Sequence, residues 1–143
     1  MDSLRLEKSY RAVGTELSIE YAAYESGLHR FINMEKNNFI GQQALMDWKN
    51  SGFFNSLVTL EVFDTKDADA LGNNPILLEG NTVGRATSGG FGFRVNKSLA
   101  LAMVNPSLTK PGTNLEINIL GKLYPATVLP DSPYDPKNQK ILS

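Results

Sequence analysis

The sequence predicts an α+β chain that is mainly β and ends in a small antiparallel barrel of Greek-key or jelly-roll type. Three observations carry this. Apolar and polar residues alternate with a period of two in Ser56–Phe63 and again in Asn114–Leu120, the mark of a half-buried strand. Gly, Pro and Asn punctuate the second half at short intervals, as hairpin-linked strands require. Helical periodicity appears only before Gly52.

The elements follow in order. A helical stretch is expected over Tyr24–Phe31. A firmer helix is expected over Ile40–Lys49, with Ile40, Ala44, Leu45 and Trp48 on one face and Asn37-Asn38 offering capping side chains. Ser51-Gly52 should end it, because glycine tolerates the left-handed conformation after a last turn. Ser56–Phe63 is the first strand, with Val58, Leu60 and Val62 on one side. Pro75–Leu78 turns through Glu79-Gly80-Asn81 into a strand over Thr82–Thr87. Ser98–Val104 is almost wholly apolar, so it should be buried on both faces. Asn114–Leu120 turns at Gly121-Lys122 into Leu123–Leu129. The chain therefore divides into residues 1–52 and a barrel over 53–143. The barrel should resist proteolysis, and trimming should begin at the N-terminal end.

Composition narrows the chemistry. A length of 143 residues with 41% hydrophobic content supports one packed core. A net charge of −1 gives no electrostatic case for nucleic acid or an anionic membrane. With no cysteine and a single histidine, His29, neither a thiolate nucleophile nor a zinc cluster nor a Ser-His-Asp triad is expected. No catalytic residue and no metal ligand is assigned. No apolar run reaches membrane-spanning length, and a soluble cytoplasmic protein is the expectation. The Gly-rich run Thr87–Gly92 is a poor phosphate loop, since Asn96 precedes Lys97 and a strand pattern follows. Its glycines are expected to serve bulges and tight turns at a sheet edge.

Four segments carry a family resemblance, in this order: Asp2-Ser3-Leu4-Arg5-Leu6-Glu7-Lys8-Ser9-Tyr10-Arg11; Glu25-Ser26-Gly27-Leu28 with Asn38-Phe39-Ile40-Gly41; Val83–Gly92 continuing through Lys97–Ala102; and Pro111-Gly112-Thr113 leading to Pro133-Tyr134-Asp135-Pro136. Together they resemble the C-terminal region of the glycine-cleavage T-protein (aminomethyltransferase) superfamily, on the side of the dimethylglycine and sarcosine dehydrogenases. Val13, Ala23 and Asn37 depart from that pattern. The resemblance implies that residues 1–52 are the tail of an α/β folate-binding fold and that the chain is a C-terminal portion of a larger enzyme. It implies tetrahydrofolate as cofactor and an N-methyl amine such as dimethylglycine or sarcosine as substrate. Any flavin would belong to an upstream domain. The partner would be the remaining part of the fold or another copy, and the isolated chain is expected to be inactive.

The resemblance also names residues. Glu7 matches the glutamate that takes the amino group and ring N–H of the pterin, which one carboxylate can accept side by side. Read from the residues alone, Glu7 would pair with Arg5 or Arg11 on a solvated surface. Tyr10 either stacks on the pterin or, the commoner fate, buries its ring in the core. Arg30 either counters the glutamate tail of folate or is an ordinary surface arginine. The competing functional reading is a non-catalytic barrel that serves packing or partner contacts and binds no folate. An RNA-binding barrel would need basic and aromatic residues interleaved on its strands, and these strands carry few.

Overall fold

The structure, a computed structural model, describes residues 2–36, 38–65 and 68–142. Six strands form the barrel: β1 (Ser56–Val62), β2 (Pro75–Leu78), β3 (Asn81–Gly92), β4 (Lys97–Val104), β5 (Asn114–Ile119) and β6 (Lys122–Leu129). They close in the order β1-β4-β3-β2-β5-β6, with every pairing antiparallel. The consecutive strands β2, β3 and β4 are neighbours, and β1 returns beside β4, which is a Greek key. Two of the hairpins are tight. Glu79-Gly80 and Leu120-Gly121 both have positive φ at each residue, the backbone that two-residue turns between twisted strands require.

The alternation in β1 sends Val58, Leu60 and Val62 into the barrel, where they meet Ala86, Ala100 and Ala102. Alanines fit because the interior of so small a barrel is narrow. β4 is buried from Ser98 through Val104, as its apolar run predicts. Its second face is covered by α1 (Asp2–Glu7), whose Leu6 is fully buried against Leu99 and Leu101. Burying one leucine contributes about 1.5–3 kcal/mol, so this short helix is anchored by tertiary packing rather than by its own length.

The Gly-rich run departs from expectation. It lies inside β3, paired along its length with β4, and a closed barrel has no edge there. A register shift between Ala86 and Ser88 supplies the expected bulge. The glycines answer to close packing instead of turns. A Cβ on Gly84 would lie 2.2 Å from the Met103 carbonyl oxygen, and one on Gly89 would lie 2.2 Å from that of Ala70.

The N-terminal part differs in several details. Tyr24–Phe31 is not one helix. Turns over 23–27 lead to a 3-10 turn at His29–Phe31, and Gly27 breaks the helix at φ 67°. The predicted helix is present as α2 (Gln42–Ser51), ending at Gly52 with φ 86°. Its N-cap is Gly41, without a side-chain cap, so Asn38 does not fill that role; Asn37 lies outside the described residues. No residue of α2 is buried, and Ile40 just ahead of it is fully exposed. A short final helix, α3 (Gln139–Leu142), closes the described chain.

This distribution revises the proteolysis expectation. Chymotrypsin should cut first at Trp48 or Phe54, both exposed, and leave α1 attached to the barrel. Time-resolved mass spectrometry checks this, and a first cut ahead of residue 11 contradicts it.

Candidate functional site

Glu7 ends α1 with its side chain turned inward, 1% exposed. Its Oε1 accepts a hydrogen bond from the backbone N–H of Arg94 at 2.7 Å, in the turn between β3 and β4. Its Oε2 is buried and has no hydrogen-bond partner among the described residues. The solvated pairing is therefore wrong. Arg5 is taken by Asp2, the Tyr10 carbonyl and Glu16, and Arg11 by the carbonyls of Ser9 and Ser26 and by Asp131. A buried carboxylate oxygen without a donor is costly. Around it, the Tyr134 N–H donates to the Glu7 carbonyl. The Arg94 guanidinium donates to the Tyr134 hydroxyl at 3.1 Å and lies 5.1 Å from the centre of that ring. Hydrogen bonds from Lys140 and Arg94 hold the Tyr134 phenol below its ordinary range.

Tyr10 and Arg30 lie elsewhere. Tyr10 is 48% exposed, so the core reading of its ring is overturned. The reason is local: α1 ends at Glu7 and Ser9 takes a positive φ, which turns the chain outward before Tyr10. Tyr10 and Arg30 line a cleft of about 300 Å³ with Lys8, Phe31 and Ser132, and Glu7 does not line it. Arg30 is 3.4 Å from Asp131 and lies over the Phe31 ring at 5.0 Å. The structure thus brings Tyr10 and Arg30 together and separates both from the Glu7 carboxylate. His29 stacks on Tyr24 at 5.8 Å, and Tyr24 stacks on Phe53. No group of three or more metal-ligating side chains occurs among the described residues.

Sequence reasoning missed the acid that organises this region. Glu16 is fully buried. It accepts hydrogen bonds from the Ala12 N–H at 2.8 Å, the Thr15 hydroxyl at 2.8 Å, Arg5 at 3.3 Å and the Ser88 hydroxyl at 2.5 Å. Burial raises its carboxyl, but the hydrogen bonds outweigh that and hold it below the ordinary range. Glu16 ties α1 and the 12–17 loop to β3. Nothing in Gly14-Thr15-Glu16 distinguishes it from a loop acid, and only the long-range partner Ser88 makes it an anchor. Glu25, also buried, bonds the N–H groups of Ala22 and Asn55 and so joins the N-terminal part to the start of β1. Burial lowers the Arg11 guanidinium, against the opposing pull of Asp131. Arg85, which lines a cleft of about 330 Å³, is already engaged by Tyr21, Glu20 and Asn73.

Comparison with known proteins places the barrel in a family. The family model described as "Glycine cleavage T-protein C-terminal barrel domain" matches residues 55–135. Mitochondrial dimethylglycine dehydrogenase from Mus musculus is 42% identical over 130 residues, covering 90% of this chain and 15% of that protein. An aminomethyltransferase from Desulfitobacterium hafniense is 36% identical over 129 residues, covering 90% of this chain and 35% of that protein. The chain thus spans about a third or less of these relatives. The crystal structure of aminomethyltransferase T from Bartonella henselae has the same fold, with a TM-score of 0.84 at 24% identity over 94% of this chain and 38% of that one. No helix among the described residues is long and apolar enough to cross a membrane. The barrel, its register and the residues that match the family model make this chain a member of the glycine-cleavage T-protein C-terminal barrel family.

Proposed function

We propose that this chain, within a larger protein, holds the pterin edge of tetrahydrofolate during one-carbon transfer from an N-methyl amine such as dimethylglycine or sarcosine. The observation that carries the reading is the Glu7 carboxylate, with one oxygen satisfied by Arg94 and the other left without a donor. The pterin amino group and ring N–H are donors of the right kind for such an acceptor. Tyr10 and Arg30 would serve a more distant part of the folate, since their cleft is separate from Glu7. The rest of the fold, or another copy, would complete the pocket, and a flavin would be carried by a different domain. By itself the chain is expected to release no formaldehyde from dimethylglycine or sarcosine.

The test is titration with tetrahydrofolate of wild type, Glu7→Gln and Glu7→Ala. Hydrogen bonds to a charged group contribute roughly 1.5–3 kcal/mol, so Glu7→Ala should weaken binding about thirtyfold. Glu7→Gln should not restore it, because its amide sets a donor against a donor. Equal affinity in all three proteins would leave the non-catalytic barrel as the better reading.

A further inference from the structure

Residues 27–30 and the barrel enclose a cleft of about 280 Å³ that neither Glu7 nor Tyr10 lines. Leu57, Pro111 and Leu129 give it apolar wall, and Arg11, Arg30 and Asp131 give it charge. Two guanidinia against one carboxylate leave an excess of positive charge. Arg11 is the rigid part. Its side chain is only 9% exposed. Nε donates to the Ser26 carbonyl at 3.0 Å and Nη1 to the Ser9 carbonyl at 2.8 Å, which fixes the plane of the guanidinium. Nη2 donates to no group among the described residues. It is left uncovered because residue 27 is a glycine: a Cβ there would lie 2.6 Å from Nη2. Burial lowers the Arg11 guanidinium, Asp131 opposes this and Arg30 adds to it. An anion set against such a group offsets hydration that burial has removed.

Asp131 is the part that can leave. Its side chain is 50% exposed. One of its oxygens is 3.7 Å from Arg11 Nη1 and the other is 3.4 Å from Arg30 Nη1. Both are longer than the roughly 2.7–2.9 Å of a well-made charge-assisted hydrogen bond. A half-exposed carboxylate at such distances gains little from its partners. Its placement nevertheless shows that a planar anion fits there, with one oxygen toward each arginine.

We propose that this cleft binds a small carboxylate bearing an apolar group, which takes Arg11 Nη2 and displaces Asp131 from between the two arginines. The apolar group lies against Leu57, Pro111 and Leu129. Asp131 is then a built-in competitor for the site, and Gly27 is the opening through which Nη2 is reached. The proposal is independent of the functional reading of Glu7.

The experiment uses the full 143-residue chain. Butyrate, acetate and inorganic phosphate are titrated by NMR into wild type, Asp131→Asn and Gly27→Ala, following the Arg11 Nε–H and the residue 27 amide, and circular dichroism confirms the fold. Butyrate should bind wild type about fivefold more tightly than acetate, from partial burial of its two further methylenes. Asp131→Asn should bind butyrate about tenfold more tightly than wild type, the equivalent of one hydrogen bond to a charge no longer contested. Gly27→Ala should bind it about tenfold more weakly. A loss of stability weakens binding in either variant, so opposite signs are the signature of the site. If Gly27→Ala does not fold, Arg30→Gln removes the second guanidinium and is held to the same loss. Unchanged or weaker binding in Asp131→Asn overturns the competitor role and the proposal with it, as does wild-type affinity in the folded loss variant. Phosphate bound as tightly as butyrate would make the cleft a general anion patch and overturn the assignment to a carboxylate.

Discussion

Gly89→Ala should destabilise the fold by about 3 kcal/mol or more, at the upper end of what overpacking a core costs. The added Cβ would lie 2.2 Å from the Ala70 carbonyl oxygen and 2.7 Å from the Ala70 Cβ. Ala70 is fully buried and Gly89 is paired with Ala100 of β4, so relief requires moving backbone. Gly80→Ala is the comparison. Gly80 has φ 79° and no atom within 4 Å of its Cβ position, so its cost is conformational only, about 1–2 kcal/mol. Urea denaturation of both variants measures the difference. Equal midpoints would mean that β3 and the segment carrying Ala70 can separate without penalty, and the packing account of these glycines would be wrong.

Glu16→Ala should cost about 3 kcal/mol, because it leaves Arg5, Ser88 and the Ala12 amide facing a site with no acceptor. The loss should be felt locally first, as release of α1 and the 12–17 loop from β3. Amide exchange at Leu6 and Glu7 should rise before exchange in β1. The pH dependence has a definite sign. The folded carboxyl lies below its ordinary value, so its contribution is full above the unfolded pKa of about 4.3. It disappears as pH falls through the lower folded value. Wild type should therefore lose stability on acidification through and below pH ~4, and Glu16→Gln should lose less. A Glu16→Gln variant with the wild-type acid slope would place the titrating group elsewhere.

The barrel was legible because its physics is local. Alternation in β1 and β5, and the uniform apolar run of β4, report which faces are buried before any partner is known. The glycines marked both hairpins, but the second turn is Leu120-Gly121 and not the expected Gly121-Lys122, since strand twist imposes positive φ on the residue ahead of the glycine. Glu7 was singled out through a resemblance, and its burial was not foreseen. A run of Leu-Arg-Leu-Glu reads as a solvated charge pairing until Leu99, Leu101 and the Arg94 amide are brought to it from more than eighty residues away in the chain. Tyr10 was misread for the same reason in reverse: its ring suits a core, but the turn at Ser9 sends it outward. Glu16, Glu25 and the glycines of β3 carry no periodic signal. Their roles come from a carbonyl, a hydroxyl or a neighbouring side chain that only tertiary structure places beside them. Local periodicity by itself determined which segments become strands. Long-range contact decided which acids are buried, which is anchored to β3 through Ser88, and which is left with an oxygen that has no donor.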